Sequence, residues 1–310
     1  MKRYYRELAV TGVLLTLLVF LALAAPEFYS TKPLLSFLAR EGPTVVVAAG
    51  MALVFLARQI DISAGSQFAL CGVGAGLLAA AHWPPALVLP VAIALGALLG
   101  LLNGVLVALV RLPSIVVTLA TMVFWREALR WQRQGEFINL PDGWQWFGMS
   151  QAQGQWTIIA GSLAILACLA VACRHLAGGR HIYAVGSDAE AARLAGVNPR
   201  RVTLAVFVFL GALCGLAAFM NSVQSPQVDP KSGTGLELKA IAAVVVGGVA
   251  MAGGRGNLWG VLAGALLLAC VGPALTYLHV EAYWERAIQG LVILLAVMAE
   301  GFRRKTRAGA

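Results

Sequence analysis

Charged side chains are scarce in this sequence. Only 12% of the 310 residues are charged, whereas 60% are hydrophobic and the mean hydropathy is +0.81. Because roughly a quarter of the residues in soluble domains are charged, this composition excludes an ordinary soluble protein. A net charge of +9 would suggest nucleic-acid binding in a soluble domain. Here the basic residues stand at the ends of apolar segments, which predicts a polytopic all-α membrane protein.

The sequence also lacks the short motifs of common catalytic sites. It contains no GxxxxGK[ST] phosphate-binding loop, no HExxH zinc motif and no GxSxG nucleophile turn. The five cysteines lie mostly inside apolar segments and lack metal-ligand spacing, so we interpret them as packing residues. We therefore predict no catalytic residue, no metal and no cofactor bound by this chain. Uphill transport would need energy from another subunit.

Ten hydrophobic segments approach the length of about 20 apolar residues that a spanning helix needs. They are Leu8–Ala25, Pro43–Ala57, Ser66–Ala81, Ala86–Val110, Ser114–Trp131, Trp156–Cys173, Leu204–Ser222, Leu238–Ala252, Asn257–Leu275 and Arg286–Glu300. The first resembles a secretory signal but is longer than a usual signal core, which favours an uncleaved helix. With ten crossings and the N-terminus inside, most of the 23 Lys and Arg residues face the cytoplasm. Both termini are therefore predicted to be cytoplasmic.

Two polar loops interrupt this single domain of residues 1–310. The outer loop, residues 132–155, contains tryptophans that suit either a membrane interface or a cap over the outer mouth. The inner loop, residues 174–203, contains a predicted short helix from Asp188 to Ala195, with Ser187 as its cap and Gly196 at its end. This helix is too polar to span the membrane and too short to be stable alone. It indicates docking to a cytoplasmic partner; a solvated connector is the alternative.

Polar or glycine-rich stretches break two of the apolar regions, at residues 58–66 and 247–256. In lipid, a broken helix is tolerated only where protein or a water-filled path covers the freed backbone groups. The translocation path or gate candidates here are Asp61, Ser63, Gly65, Ser66, Gly247, Gly248, Gly253 and Gly254. For Asp61 and Ser63 the alternative is capping of the third segment. Further lining candidates, which could instead form hydrogen bonds between helices, are Asn103, Thr118, Thr121 and Asn221.

Long runs of the chain resemble the ribose-type permeases of bacterial ABC importers, a group for ribose, xylose, rhamnose, galactose and autoinducer-2. The runs are IDISAGS at 60–66, LNGVLVALVRLPSIVVTLATM at 102–122, HIYAVGSDAEAARLAGV at 181–197, GTGLELKAIAAVVVGGVAMAGGRGNLWGVLAGALLL at 233–268 and YWERAIQGLVILLAV at 283–297. They follow one another in order over nearly the whole chain. The resemblance therefore implies a membrane-embedded transport subunit.

The resemblance also implies partners and a location. The partners would be a second permease copy or homologue, a cytoplasmic ATPase with two nucleotide-binding domains that binds ATP and Mg²⁺, and a periplasmic solute-binding protein. The subunit would lie in the bacterial inner membrane and pass a sugar-like solute by alternating access. By similarity, the residues that couple it to the ATPase are Tyr183, Gly186, Ser187, Asp188, Ala191, Ala192, Arg193 and Gly196. The glycines at 247–256 would permit movement at the inner gate and would not bind sugar.

Some positions depart from the family pattern. Arg58-Gln59 stands where a glycine pair is usual, Lys239 where an acidic residue is usual, and Val249-Ala250 where Thr-Ser or similar is usual. These departures leave the solute open, and they raise the possibility of a heteromeric permease pair. Two other function classes also remain, an ion-coupled secondary sugar transporter and a noncatalytic membrane assembly protein.

Overall fold

The computed structural model describes residues 5–278 and, beyond them, residues 281, 284, 285, 287, 288, 290–292, 294 and 298. Most of the predicted segment Arg286–Glu300 and both predicted cytoplasmic termini lie outside the described residues. Residues 5–278 form eleven α-helices: α1 Tyr5–Ala24, α2 Thr31–Leu56, α3 Ala64–Ala80, α4 Pro85–Ala108, α5 Ser114–Arg133, α6 Gln151–His175, α7 Ala177–Ser187, α8 Ala189–Leu194, α9 Pro199–Ser222, α10 Leu236–Val246 and α11 Leu258–Tyr277. Two 3₁₀ turns, Pro26–Tyr29 and Gln145–Gly148, and two short strands, β1 Ile138–Asn139 and β2 Gln227–Val228, complete the fold.

Among the described residues, five helices are long and apolar enough to cross a membrane: α2, α4, α6, α9 and α11. Part of α1 (Val10–Ala24) and all of α3 are apolar but shorter. Helix α5 has 20 residues, and its second half carries charged side chains from Arg126 to Arg133. The all-α prediction is confirmed, whereas the number of ten spans stays a prediction.

The predicted start of the second segment, at Pro43, is wrong. Helix α2 begins at Thr31 and runs for 26 residues with Pro43 inside it. A proline removes one backbone hydrogen bond and usually kinks or ends a helix. The turns before Pro43 are nevertheless packed, because Leu35 and Ala39 are buried together with Ile159 of α6. This tertiary contact stabilises a helix that local propensity would end.

Helix α2 lies at the centre of the molecule. Every residue from Glu41 to Ala57 is buried, and α2 contacts α6, α9, α10 and α11. A helix that is apolar on all sides is expected where neighbours cover it on all sides.

Glycines let helices α4 and α9 pack closely. A Cβ atom on Gly96 of α4 would collide with the carbonyl oxygen of Gly211 in α9, and one on Gly100 would collide with that of Phe207. A Cβ atom on Gly215 would collide with the backbone of Ala92. Small residues four positions apart therefore bring the two backbones into contact, as their spacing in the sequence predicts.

The connection between α5 and α6 folds back onto the helices. Strand β1 pairs antiparallel with β2, and this pairing ties the connection to the segment after α9. Trp144 is buried, with its ring centroid 6.0 Å from that of Phe219, whereas Trp156 is 60% exposed. The membrane-interface interpretation therefore suits Trp156 and is wrong for Trp144, which packs inside the protein.

The inner region of residues 174–203 contains two helices, α7 and α8, where the sequence predicts one. Asp188 caps α8, because its Oδ1 accepts hydrogen bonds from the amides of Glu190 and Ala191 at 2.9 and 3.0 Å. The predicted cap at Ser187 is wrong, since Ser187 is the last residue of α7. Gly196 follows the end of α8 with φ 85°, as its position predicts.

Candidate functional site

The first helix break, residues 57–63, joins α2 to α3. The amides of Arg58 and Gln59 donate to the carbonyls of Phe55 and Val54, both at 2.9 Å, which is the pattern of a Schellman helix end. Arg58 has φ 62°, a left-handed conformation that glycine adopts most easily. The glycine expected here from the family pattern therefore has a physical basis, and Arg58 takes the same backbone shape without a glycine's freedom.

Asp61 is fully buried within this break. Its Oδ1 accepts from the amide and the hydroxyl of Ser63, at 2.8 and 2.6 Å. Its Oδ2 accepts from the side-chain amides of Gln67 in α3 and Asn103 in α4, at 3.1 and 3.4 Å. Four donors thus surround the carboxylate, which reduces the large free-energy penalty of burying it.

We call Asp61, Ser63, Gln67 and Asn103 the Asp61 cluster. The Ser63 hydroxyl accepts from Gln67 at 2.9 Å and from Asn103 at 2.8 Å, so each amide group bridges Asp61 and Ser63. The two remaining amide oxygens, Gln67 Oε1 and Asn103 Oδ1, are buried without a hydrogen-bond partner. The cluster joins the first break to both α3 and α4.

The first break also runs along α5. The amide of Ile60 donates to Ser114 Oγ at 3.3 Å, and the amide of Ile62 donates to Thr118 Oγ1 at 3.1 Å. Further along, Ser66 Oγ donates to the carbonyl of Met122 at 2.9 Å. Side chains of α5 therefore satisfy backbone groups that the break leaves without helical partners, as lipid would require.

The structure brings together three of the candidates from the sequence, Asp61, Ser63 and Asn103, and buries all of them. Ser63 does not cap α3 with its side chain, whereas Asp61 Oδ1 accepts from the Ser63 amide just before α3, so the capping alternative is wrong for Ser63 and stays open for Asp61. Gln67 is the member that sequence reasoning missed. Its position four residues after Ser63, on the same face of α3, was the available signal.

Two other lining candidates lie outside the Asp61 cluster. Thr121 is half-buried on α5 and donates to the carbonyl of Thr118 at 3.3 Å, within its own helix. Asn221 is half-buried in the last turn of α9.

The second helix break follows α10, which ends at Val246 after only 11 residues. The predicted continuation of this segment to Ala252 is wrong. Gly248, Gly253 and Gly254 have φ values of 90°, 78° and 69°, and a right-handed helix cannot continue through such residues. We call residues 247–256 the glycine turn.

Helix α7 contacts both breaks at once. The amide of Gly254 donates to the carbonyl of Leu56, the last residue of α2, at 2.9 Å. Gly186 lies against this hydrogen bond, since a Cβ atom on it would collide with the Leu56 carbonyl and lie 2.7 Å from the Gly254 amide. Tyr183 Oη donates to the carbonyl of Gly256 at 2.9 Å. We call this contact between α7, the end of α2 and the glycine turn the α7 junction.

Beyond the α7 junction, α8 presents an exposed surface. Ala191 and Arg193 are exposed, Ala192 is buried, and the Leu194 side chain is 78% exposed. Arg193 donates to Glu190 at 3.1 Å, and this hydrogen bond lowers the pKa of Glu190. A short capped helix with an exposed leucine has the features of a docking element.

Two ion pairs hold the first turns of α10. Lys239 Nζ contacts both carboxylate oxygens of Glu41 in α2, at 3.0 and 2.9 Å. Arg126 of α5 donates to Glu237 Oε1 at 3.1 Å. The sequence does not indicate either pair, because the partners are 198 and 111 residues apart. Three carboxylate side chains, Glu41, Asp61 and Glu237, are buried.

Metal binding has no obvious place in the described part of the chain. Among those residues, no group of three or more His, Cys, Asp or Glu side chains could hold a metal ion.

Comparison with known proteins identifies the class. Residues 34–297 match the family described as the branched-chain amino acid transport system / permease component. The chain belongs to this family of ABC transporter permeases. It is therefore a multi-pass membrane permease, a noncatalytic component of a bacterial importer.

Individual relatives cover nearly the whole chain. It is 33% identical to the ribose import permease protein of Escherichia coli (strain K12) over 292 residues, which are 93% of this chain and 91% of that protein. It is also 33% identical to the autoinducer 2 import system permease protein of Enterobacter sp. (strain 638) over 301 residues, 97% of this chain and 88% of that protein. No solved structure matches the chain.

Proposed function

We propose that this chain forms the translocation path of an ATP-driven importer for a sugar or sugar-like solute. The chain would sit in the bacterial inner membrane and alternate between inward-open and outward-open states. A separate cytoplasmic ATPase with two nucleotide-binding domains would hydrolyse ATP, and a periplasmic binding protein would deliver the solute. Such a cycle requires only that each state makes different contacts with these partners.

The α7 junction is the observation that carries the proposal. Helix α8 is exposed and suited to docking, and α7 links it to the end of α2 and to the glycine turn. A displacement of α8 by the ATPase would therefore reach both helix breaks through direct backbone contacts. Because glycines have no side chain to obstruct rotation, the glycine turn is the natural place for an inner gate to bend.

The path and gate assignments remain part of this proposal. The Asp61 cluster would hold the first break in a fixed shape, since its four members hydrogen-bond to one another and are buried. Gly65 and Ser66 would keep α3 close to α10 and α5. Thr121 and Asn221, which are half-buried, would be the more accessible polar groups along the path.

The solute is proposed from the relatives. Two of them are named for ribose import and for autoinducer 2 import, and ribose is an uncharged sugar with several hydroxyl groups. The family description names branched-chain amino acids, so membership alone does not choose between solute classes. Arg58 and Lys239 depart from the pattern of ribose-type permeases, which keeps a heteromeric pair with a second permease among the proposed assemblies.

The proposal is tested by reconstituting the chain in proteoliposomes with its ATPase and its binding protein. We expect uptake of labelled D-ribose or autoinducer 2 that requires ATP and the binding protein and is insensitive to a protonophore. Purification should also recover the ATPase with a permease pair. If the self-paired chain and the ATPase form a stable complex without a second permease, the heteromeric assembly is excluded.

The same experiment tests the ion-coupled alternative, which gains support from the three buried carboxylates Glu41, Asp61 and Glu237. Uptake that ignores ATP and collapses with a protonophore would establish that alternative and contradict the importer. An assembly protein would give no flux under either condition.

A further inference from the structure

The ion pair between Arg126 and Glu237 lies well away from the start of α5 and from the glycine turn. Glu237 stands nine residues before Val246, the end of α10, so it is about 14 Å from the glycine turn along the helix axis. Arg126 stands twelve residues after Ser114, the start of α5, so it is about 18 Å from that end. If the glycine turn and the start of α5 lie at one face of a hydrocarbon core of about 30 Å, both distances place the pair near half the thickness.

Charged groups at this depth indicate a functional site, because their burial is unfavourable without a partner or a polar path. The pair between Lys239 and Glu41 is closed, since the lysine contacts both carboxylate oxygens and the two side chains are only 18% and 8% exposed. The pair between Arg126 and Glu237 is open on one side. The Arg126 side chain is 27% exposed, and Glu237 Oε2 is buried without a hydrogen-bond partner.

Glycine creates the room for this carboxylate. A Cβ atom on Gly65 would collide with Glu237 Oε2 and with the carbonyl oxygen of Gly233. The first turn of α3 and the first turn of α10 therefore meet at Glu237, each with its N-terminal end.

We propose that Arg126 and Glu237 form a contact site for the hydroxyl groups of an uncharged polyol as it passes the middle of the membrane. The guanidinium has five N–H donors and uses one of them on Glu237 in this structure, so others can donate to hydroxyl oxygens. The unpartnered Glu237 Oε2 is buried beside Gly65, so it would accept from a solute hydroxyl only after the helices that cover it move apart. Since the pair is neutral overall, it suits a neutral solute better than an ion.

This inference rests on the proposed importer function, and its test uses the complete reconstituted complex. The probe is labelled D-ribose, with D-xylose as a second pentose of different hydroxyl geometry. Arg126→Lys retains a positive charge beside Glu237 but loses the planar fork of donors. We expect the complex to assemble, the maximal uptake of D-ribose to fall by about tenfold, and the ratio of ribose to xylose uptake to change.

The matched control is the same type of exchange in the closed pair, Lys239→Arg. It should leave both uptake rates within about twofold of the unmodified complex, because arginine at position 239 is also a cation and can donate to Glu41 in place of lysine. If Arg126→Lys transports both pentoses as the unmodified complex does, the contact site is excluded and the pair is a structural link between α5 and α10.

If the complex that carries Arg126→Lys does not assemble, a second variant tests the contact site. Glu237→Gln keeps the size of the side chain and removes the charge that faces Arg126, so it should change the ratio of ribose to xylose uptake. Unchanged pentose uptake by this variant would contradict the inference. If the unmodified complex imports neither a pentose nor autoinducer 2, the proposed function and this inference fail together. If it imports the pentoses and the variants import them equally well, only the inference fails.

Discussion

Asp61 shows how one buried residue can stabilise a break between two apolar helices. A buried carboxylate is strongly destabilising unless donors surround it, and here Ser63, Gln67 and Asn103 supply them from the break, α3 and α4. The sequence marks Asp61 as unusual by its position in an apolar region. It does not reveal whether the side chain faces a path or the protein interior.

Asp61→Asn should destabilise the protein and abolish transport. The new amide N–H₂ would face the amide donors of Gln67 or Asn103, leaving at least one buried donor without an acceptor, at about 1 to 3 kcal/mol for each unsatisfied group. The thermal unfolding midpoint in detergent and the uptake of the reconstituted complex measure the effect. Asp142→Asn is the control, since Asp142 is exposed and should tolerate the change. An unfolding midpoint for Asp61→Asn equal to that of the control would contradict the role assigned to the cluster.

Arg58 illustrates a departure whose effect is visible at the backbone. Its φ of 62° places a non-glycine residue in the left-handed region, which is unfavourable by about 1 kcal/mol or more. The two hydrogen bonds of the helix end, from Arg58 and Gln59, compensate for part of this.

At the scale of secondary-structure elements, the α7 junction joins the two helix breaks. Helix α7 has no room for a side chain at Gly186, and the glycine turn has none at Gly254, where a Cβ atom would lie 2.7 Å from the Ser187 backbone and still closer to its hydroxyl. The two helix breaks therefore share one contact surface with the element that would receive the ATPase.

Gly254→Val should abolish ATP-driven uptake. Valine at φ 69° is strained by about 1 to 2 kcal/mol, and its side chain would displace Ser187 from the glycine turn. Uptake and co-purification of the ATPase are the measurements. Gly161→Val on α6 is the matched control, because a Cβ atom there has nothing within 4 Å. Transport by Gly254→Val at the level of Gly161→Val would show that the turn does not need to move or to fit closely.

At the scale of the whole molecule, the order of the helices predicts which residues lie on opposite sides of the membrane. Phe137 lies in the connection before α6 and Leu194 lies in α8, so one long apolar helix, α6, separates them along the chain. The two residues should therefore lie on opposite sides. The basic residues around α8 predict that Leu194 is cytoplasmic.

Cysteine labelling tests this topology in intact cells. Phe137→Cys, whose side chain is 54% exposed in the native protein, should react with a membrane-impermeant maleimide added outside. Leu194→Cys, at a position 78% exposed, should react only after the membrane is permeabilised. Labelling of both from outside would contradict the assigned orientation.

Much of the fold was predictable because it depends on local chemistry. Long apolar runs form the helices. Gly196 and the glycines at 248–254 end helices because of their backbone freedom, and the glycine pairs of α4 and α9 indicate close packing. The errors lie where distant residues override local preference. Pro43 does not begin α2, because contacts with α6 stabilise the turns before it. Asp188 replaces Ser187 as the cap because Ser187 belongs to α7, a helix that the sequence did not predict.

The low charge, the apolar segments and the family-like runs were sufficient to establish a membrane permease, since each is a property of the chain read in order. Only the folded molecule shows that Asp61 meets Asn103, that Glu41 meets Lys239, and that Gly254 contacts both Leu56 and α7. Those contacts join residues far apart in the sequence, and each depends on how whole helices pack. These contacts connect the two helix breaks, which are far apart in the sequence, in one packed region.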